Sequence, residues 1–342
     1  MLVFSLFNPY SLSLDSDGPF PVLGRLLTSR CMPIEDTNIS SFANKTVLIT
    51  GATSGCGFHC AKALSRVNCH LILTARNREK GEAASREIAS MNPSSGATVD
   101  FLEMDMTSYT SIYTFRTKLQ QYSQLDVAIL NAGMYSTDFN LCPETELEET
   151  LQVNFLSTCL ISLLLIPLLL KCSQQSRLLF ISSEAHAWAA PRQTSFQDLQ
   201  TQLNDPAAYA CYERYHISKL LLVLWTQRLS SQIDPEKLLI ASASPGFCRS
   251  GLFRLFNFHA LAAFLEKLVC RTPDKGASQY ILALGCMSKE THGAFYSDNK
   301  FRRPATATAT YSAVSLRNSL WDDIQRLLPT WIQGVGQDIF AI

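Results

Sequence analysis

The stretch from Thr46 to Ala75 constrains the fold more than any other part of the chain. Thr46-Val47-Leu48-Ile49-Thr50 is apolar and β-branched, which reads as a buried strand, and it runs directly into Gly51-Ala52-Thr53-Ser54-Gly55-Cys56-Gly57. A helix-like segment from about Phe58 to Arg66 and a second apolar run, His70 to Ala75, supply the crossover length of a βαβ unit. Strand, glycine-rich turn and helix start bring backbone N–H groups and a positive helix end together, a combination suited to a pyrophosphate. The spacing is Gly51-x-x-x-Gly55-x-Gly57, not the usual Gly-x-Gly-x-x-Gly, so by itself the turn reads equally well as a plain strand-to-helix connection.

The second strand ends in Arg76-Asn77-Arg78. An acid at that point would bind the adenosine ribose hydroxyls of NAD, whereas Arg76 can meet a 2′-phosphate with paired, charge-assisted hydrogen bonds and so favours NADP(H). The other reading of Arg76 is a solvated surface arginine. Further apolar runs follow: Ala97 to Met104 before Asp105, Leu125 to Leu130 before Asn131-Ala132-Gly133, Arg177 to Ile181 before Ser182-Ser183, and Leu238 to Ser244 before Pro245-Gly246. Polar or glycine residues thus gather at the carboxyl ends of apolar strands. In an open parallel sheet, that edge is where ligands bind. The expected fold is α/β, a Rossmann-type doubly wound parallel sheet with helices on both faces.

Tyr215 and Lys219 stand four residues apart in a segment that reads as helix, so both project from one face. An ammonium beside a phenol favours the phenolate and should lower its pKa from about 10, giving a tyrosine that exchanges protons. The same spacing recurs at Tyr296 and Lys300, but there it spans the turn-formers Ser297, Asp298 and Asn299. The first copy runs instead into the apolar stretch Leu220 to Trp225, long enough for a buried helix.

Taken in order, Thr50-Gly51-x-x-x-Gly55-x-Gly57, Asn131-Ala132-Gly133, a serine closing the fifth strand, Tyr215-x-x-Ser218-Lys219 and Pro245-Gly246 resemble the short-chain dehydrogenase/reductase family over about residues 44 to 255. Ser182-Ser183-Glu184-Ala185-His186 and the long interval before Tyr215 are similar to the retinol-dehydrogenase-like branch that includes the WW-domain oxidoreductase; this chain has no room for WW domains. The resemblance implies alcohol–carbonyl interconversion with Tyr215 as acid or base, and Lys219 lowering its pKa and holding the nicotinamide ribose. It implies Ser183 at the substrate oxygen, with Ser182 left open, and Asn154 supporting a water relay; an ordinary buried amide is the alternative for Asn154. For the cofactor it implies Ser54 and the turn backbone (Gly51, Gly55, Cys56, Gly57) at the phosphates. Asp105 would lie near the adenine, Asn131, Ala132 and Gly133 along the adenosine ribose, and Pro245 and Gly246 beside the nicotinamide. Ser250 is the nearest equivalent of a threonine common beyond that Pro-Gly. Cys56, where an aliphatic residue is usual, reads as packing, with sensitivity to oxidation as the alternative.

The remaining sequence divides into appendages: an N-terminal extension over 1–43, a core domain over 44–300 with a substrate lid at about 247–275, and a tail over 301–342 containing a helix. Phenylalanines between Phe247 and Cys270 suggest a lipophilic substrate such as a retinoid, a steroid or another carbonyl, while packed amphipathic helices and peripheral membrane contact are the alternatives. The polar interval from Ser183 to Tyr215 reads as a surface loop. Basic and acidic residues balance at 29 each, which gives no support to nucleic-acid binding. Eleven cysteines without a Cys-x-x-Cys pair point to reduced thiols in the cytoplasm and to no metal site. The apolar run Leu160 to Leu170 is too short to span a membrane and reads as a buried helix. A homodimer through the helices carrying Asn154 and Tyr215, and a regulatory nucleotide-binding protein with little turnover, stay open.

Overall fold

The computed structural model describes residues 38–248 and 270–331. Most of the N-terminal extension, Ser250 and most of the Phe247 to Cys270 lid therefore lie outside the described residues, as does the end of the tail.

Among the described residues eight strands form one sheet, in the order β3-β2-β1-β4-β5-β6-β7-β8. They are β1 (Thr46–Thr50), β2 (His70–Ala75), β3 (Thr98–Glu103), β4 (Val127–Leu130), β5 (Ser176–Ile181), β6 (Leu238–Ala243), β7 (Phe295–Ser297) and β8 (Lys300–Arg302). All neighbours pair in parallel except β7 with β8. The order reverses between β1 and β4, so the switch point of this Rossmann-like sheet falls beside the glycine-rich turn.

Both faces are covered, and the strands read as continuous apolar runs for that reason. Alternate residues of one run enter opposite cores: Leu48, Leu178, Phe180, Leu238 and Ile240 go to one, and Val47, Ile49, Leu179, Leu239 and Ala241 to the other. The first core is closed by α3 (Tyr109–Leu119), α4 (Glu149–Leu169) and α6 (Cys211–Ser230). The second is closed by α1 (Gly55–Leu64), α2 (Arg78–Met91) and α7 (Pro273–Cys286). Among the described residues α4 alone is long and apolar enough to cross a membrane, but 94% of its most apolar window is buried in this fold. Its hydrophobicity is that of a helix enclosed by sheet and neighbours.

Two expectations change. The interval between Ser183 and Tyr215 is largely helical, with a 3-10 turn at Glu184–Trp188 and α5 (Phe196–Leu203), whose Phe196, Leu199 and Leu203 are fully buried. Those three apolar residues sit at helical spacing within polar sequence, a pattern that the prolines nearby obscure. The tail helix α8 (Tyr311–Trp331) is also part of the core: Ala313, Leu316, Leu320 and Ile324 are buried, and Trp321 stacks on Trp225 of α6 at 5.8 Å between ring centres.

The second Tyr-x-x-x-Lys copy forms a hairpin. Asp298 and Asn299 both have positive φ, 49° and 62°, as the two central residues of a tight β7–β8 turn require. Asp298 Oδ1 accepts from Arg271 Nη2 at 2.6 Å, and both side chains are nearly solvent-free. Arg271 also donates from Nη1 to the Pro245 carbonyl at 3.2 Å, while its backbone N–H meets the Phe247 carbonyl at 2.7 Å. This pair joins the edge hairpin to the loop after β6. Asp298→Asn keeps the shape and the turn preference but takes the countercharge from a buried guanidinium, so unfolding free energy should fall by about 3 kcal/mol. Urea denaturation of the variant against wild type checks this.

Candidate active site

The glycine-rich turn is held by the strand on the other side of the switch point. Asn131 donates from Nδ2 to the Thr50 and Gly51 carbonyls at 2.9 and 3.1 Å, and its Oδ1 accepts from the Tyr280 hydroxyl at 2.9 Å. The Ala132 N–H donates to Thr50 Oγ1 at 2.9 Å. This close approach explains two glycines. A Cβ on Gly51 would lie 2.9 Å from Ala132 Cα, and one on Gly57 would lie 2.5 Å from Asn131 Nδ2. Gly55 differs: its φ is +58°, and nothing lies within 4 Å of where its Cβ would be. There is open space over the turn at the N-terminus of α1. Ser54, the residue preceding that helix, is exposed and makes no side-chain capping bond, which leaves its hydroxyl and the first helical N–H groups facing that space. The Asn131 side chain is spent on positioning the turn.

At the end of β2, Arg76 is exposed. Arg78 is committed, donating from Nε and Nη2 to Glu103 at 3.1 and 2.8 Å. Asp105 sits at the end of β3, where one carboxylate oxygen accepts from the Thr107 N–H and hydroxyl at 2.9 and 2.8 Å.

Tyr215 and Lys219 occupy the first half of α6, and Lys219 Nζ lies 5.6 Å from the centre of the Tyr215 ring. Lys219 is buried and donates to the Ile181 carbonyl at 3.0 Å. Gly133 packs against it: a Cβ there would lie 3.3 Å from Lys219 Nζ and 3.2 Å from Asn154 Oδ1. Asn154 lies in a π-helical turn, Gln152–Leu156, inside α4. Its Oδ1 accepts from the Met134 N–H at 2.7 Å, and its Nδ2 donates to the Met134 carbonyl and to Ser218 Oγ at 2.9 and 3.0 Å. The amide thus pins the loop after β4 to α6, and the extra residue of the π turn aims it inward.

The two serines separate. Ser182 is buried and its hydroxyl donates to the Lys219 carbonyl at 2.9 Å, while Ser183, on the other side of the strand, hydrogen-bonds the Tyr215 phenol. Ser183 Oγ also accepts from the Ala185 N–H at 3.1 Å, which fixes its rotamer. His186, which sequence reading missed as a site residue, meets the Ser183 carbonyl through Nδ1 at 2.7 Å and the Ala305 N–H through Nε2 at 3.1 Å. A carbonyl accepts and an N–H donates, so the imidazole carries its proton on Nδ1. The signal available in sequence was an isolated histidine beside the serines; its second partner lies 119 residues away.

The electrostatics overturn one expectation. Burial pushes the Tyr215 phenol up to about 12, opposed by the Ser183 hydrogen bond, and burial pushes the Lys219 ammonium down to about 8. The Lys219 charge, directed at the Ile181 carbonyl, does not offset desolvation of the phenolate. Beside the Tyr215 ring stand two further aromatic rings in contact: Tyr135 meets Tyr215 edge-on at 5.8 Å and Tyr212 at a tilt at 5.9 Å, while Trp188 lies 5.5 Å from His216. No group of three or more His, Cys, Asp or Glu residues suited to a metal occurs among the described residues.

A model of the short chain dehydrogenase family matches residues 45–196. The short-chain dehydrogenase anuD of Penicillium roqueforti is 30% identical over 312 residues, covering 86% of this chain and 80% of that protein. The short chain dehydrogenase opdN of Penicillium oxalicum is 31% identical over 293 residues, covering 80% of this chain and 94% of that one. Among solved structures, a short chain dehydrogenase from Salmonella enterica serovar Typhi superposes with TM-score 0.56 at 22% identity, covering 78% of this chain and 99% of that one. Another from Shigella flexneri, solved with NADP, gives 0.55 at 22% identity, covering 76% and 99%. The chain belongs to the short-chain dehydrogenase family and is an oxidoreductase of that family.

Lys219 makes stability depend on pH. Between about pH 8 and 10 the unfolded chain holds this proton and the folded one releases it, so folding strengthens as pH rises; above pH 10 the raised Tyr215 opposes the trend. Relative to Lys219→Met, the wild type should gain about 2–3 kcal/mol between pH 7 and 10. Denaturation curves at both pH values read this directly.

Proposed function

We propose that the protein is an NADP(H)-dependent oxidoreductase interconverting a lipophilic alcohol and its carbonyl, with Tyr215 as the acid–base group. The observation that carries this reading is the meeting of Ser183, Tyr215, Lys219 and Gly133 at the carboxyl edge of the sheet, whose switch point carries an open glycine-rich turn. The family uses NAD or NADP, and the bound nicotinamide supplies the hydride. The residues present fit that group. The α1 N-terminus, Ser54, Gly55 and the backbone of Cys56 and Gly57 receive the pyrophosphate, with Gly51 giving the turn its shape. Asp105 and the backbone of Asn131, Ala132 and Gly133 border the adenosine, and Pro245 and Gly246 border the nicotinamide. Arg76, exposed at the end of β2 where an NAD-binding acid would stand, receives the 2′-phosphate.

In carbonyl reduction, the Ser183 and Tyr215 hydroxyls donate to the substrate oxygen, and Tyr215 passes its proton there as negative charge develops. A phenol held high is a competent donor, and the Ser183 hydrogen bond favours the phenolate left behind. Asn154 keeps the loop after β4 in place through both backbone atoms of Met134. The rings of Tyr135 and Tyr212 beside Tyr215 support a substrate with an extended apolar body, such as a retinoid, a steroid or another lipophilic carbonyl. Free thiols throughout the described residues support a reducing, cytoplasmic setting.

Titration with NADPH and NADH tests the cofactor assignment. Arg76→Ala should weaken NADPH by roughly 10- to 100-fold and leave NADH nearly unchanged, the effect of losing a charge-assisted contact. Binding of neither nucleotide by folded wild-type protein overturns the reading. With a carbonyl found by screening, Tyr215→Phe should cut turnover by about 10²- to 10⁴-fold at unchanged NADPH affinity.

A further inference from the structure

Two thiols from opposite walls of the nucleotide crevice meet over Gly276. Cys56 is the second residue of α1, in the glycine-rich turn, and Cys248 follows Pro245-Gly246-Phe247 after β6. A Cβ on Gly276 would lie 2.4 Å from Cys248 Sγ and 2.6 Å from Cys56 Sγ, so the two sulfurs are within about 5 Å of each other. They share a hydrogen bond, and Cys248 Sγ also approaches the Pro245 carbonyl at 3.2 Å. The missing side chain at Gly276 is what lets them touch. The other cysteine on this helix, Cys60, is fully buried, with its thiol pushed up by burial. Cys56 differs because the Cys248 hydrogen bond pulls its thiol down against burial and its place in the first turn of α1 favours negative charge, while Cys248 is held up by the same bond. Both thiols are buried, and the place of Cys56 in the first turn of α1 suits it to be the nucleophile, with Cys248 against it as the thiol that resolves it.

We propose that Cys56 and Cys248 form a peroxide-oxidised dithiol site whose disulfide joins the two walls of the crevice and weakens nucleotide binding. The Cys56 thiolate attacks a hydroperoxide; an S–O bond forms, the O–O bond breaks, and the alcohol (water, from hydrogen peroxide) departs with a proton. The Cys248 sulfur then attacks the resulting sulfenic acid, an S–S bond forms, the S–O bond breaks, and water leaves with the Cys248 proton. Two thiols and one hydroperoxide give one disulfide, one alcohol and one water, with two electrons passing from sulfur to the peroxide. Bonding requires the sulfurs to close to about 2.05 Å, which draws the Pro245–Cys248 segment toward the first turn of α1. The link to nucleotide binding rests on the assignment of that turn to the cofactor; the dithiol itself does not.

The test is peptide mapping of the full chain after stoichiometric hydrogen peroxide, with nucleotide titration before and after. A Cys56–Cys248 disulfide should form ahead of any oxidation of the exposed Cys286, and dithiothreitol should reverse it. In Cys248→Ser the disulfide should be absent and dimedone should trap Cys56 as a sulfenic acid. Oxidised wild type should bind NADPH about tenfold or more weakly, with recovery on reduction, and oxidised Cys286→Ser should behave identically. Oxidation confined to Cys286, or unmodified Cys56 in Cys248→Ser, overturns the dithiol site. A disulfide that leaves NADPH affinity unchanged overturns its control of binding. Failure of the reduced protein to bind nucleotide overturns the cofactor assignment and leaves the disulfide result standing.

Discussion

The site depends on the clamp between the ends of β1 and β4. Asn131 gives both its N–H groups to the Thr50 and Gly51 carbonyls while Ala132 N–H meets Thr50 Oγ1, and these bonds set the turn where the strand order reverses. The clamp works only because Gly51 and Gly57 lack side chains, since Cβ atoms there would enter Ala132 and Asn131. Tyr280 completes it from α7, a helix of the opposite half of the sheet. Glycine-rich turn, strand end and distal helix are thereby one hydrogen-bonded unit.

From that unit the geometry propagates in two directions. Gly133, next along the chain, lets β4 approach Asn154 and Lys219, so the loop after β4 also positions the groups around Tyr215. On the far side, Arg271 holds the Pro245 carbonyl and is held in turn by Asp298 of the edge hairpin. His186 does comparable work for Ser183, linking it to the backbone of Ala305. These contacts are buried and polar, so each adds little net stability when intact and costs much when one partner is lost. Their value is in fixing where the hydroxyls and glycine turns sit.

Much of the candidate site is legible along the chain because its parts are local. Strand followed by glycine turn, Tyr215 one helical turn before Lys219, and the serines at a strand end each follow from spacing alone. The choice between the two Tyr-x-x-x-Lys copies was equally local, because Asp298 and Asn299 accept positive φ where Leu220 to Leu224 favour helix. The readings that changed depended on distant partners. The Ser183 to Tyr215 interval looks like a loop until the core shows where Phe196, Leu199 and Leu203 go. The shift at Tyr215 reverses because burial, invisible in a four-residue spacing, outweighs a charge aimed elsewhere.

By itself the sequence determined the α/β class, the strands with their polar carboxyl ends, and the family, since hydrophobic period and glycine position act through the backbone within a few residues. The tertiary structure decided which serine faces Tyr215, that Asn131 and Asn154 spend their amides on scaffolding, and that Cys56 meets Cys248. Those outcomes turn on contacts between side chains tens to hundreds of residues apart. Burial and hydrogen-bond partnership are properties of the packed chain, and no local pattern encodes them.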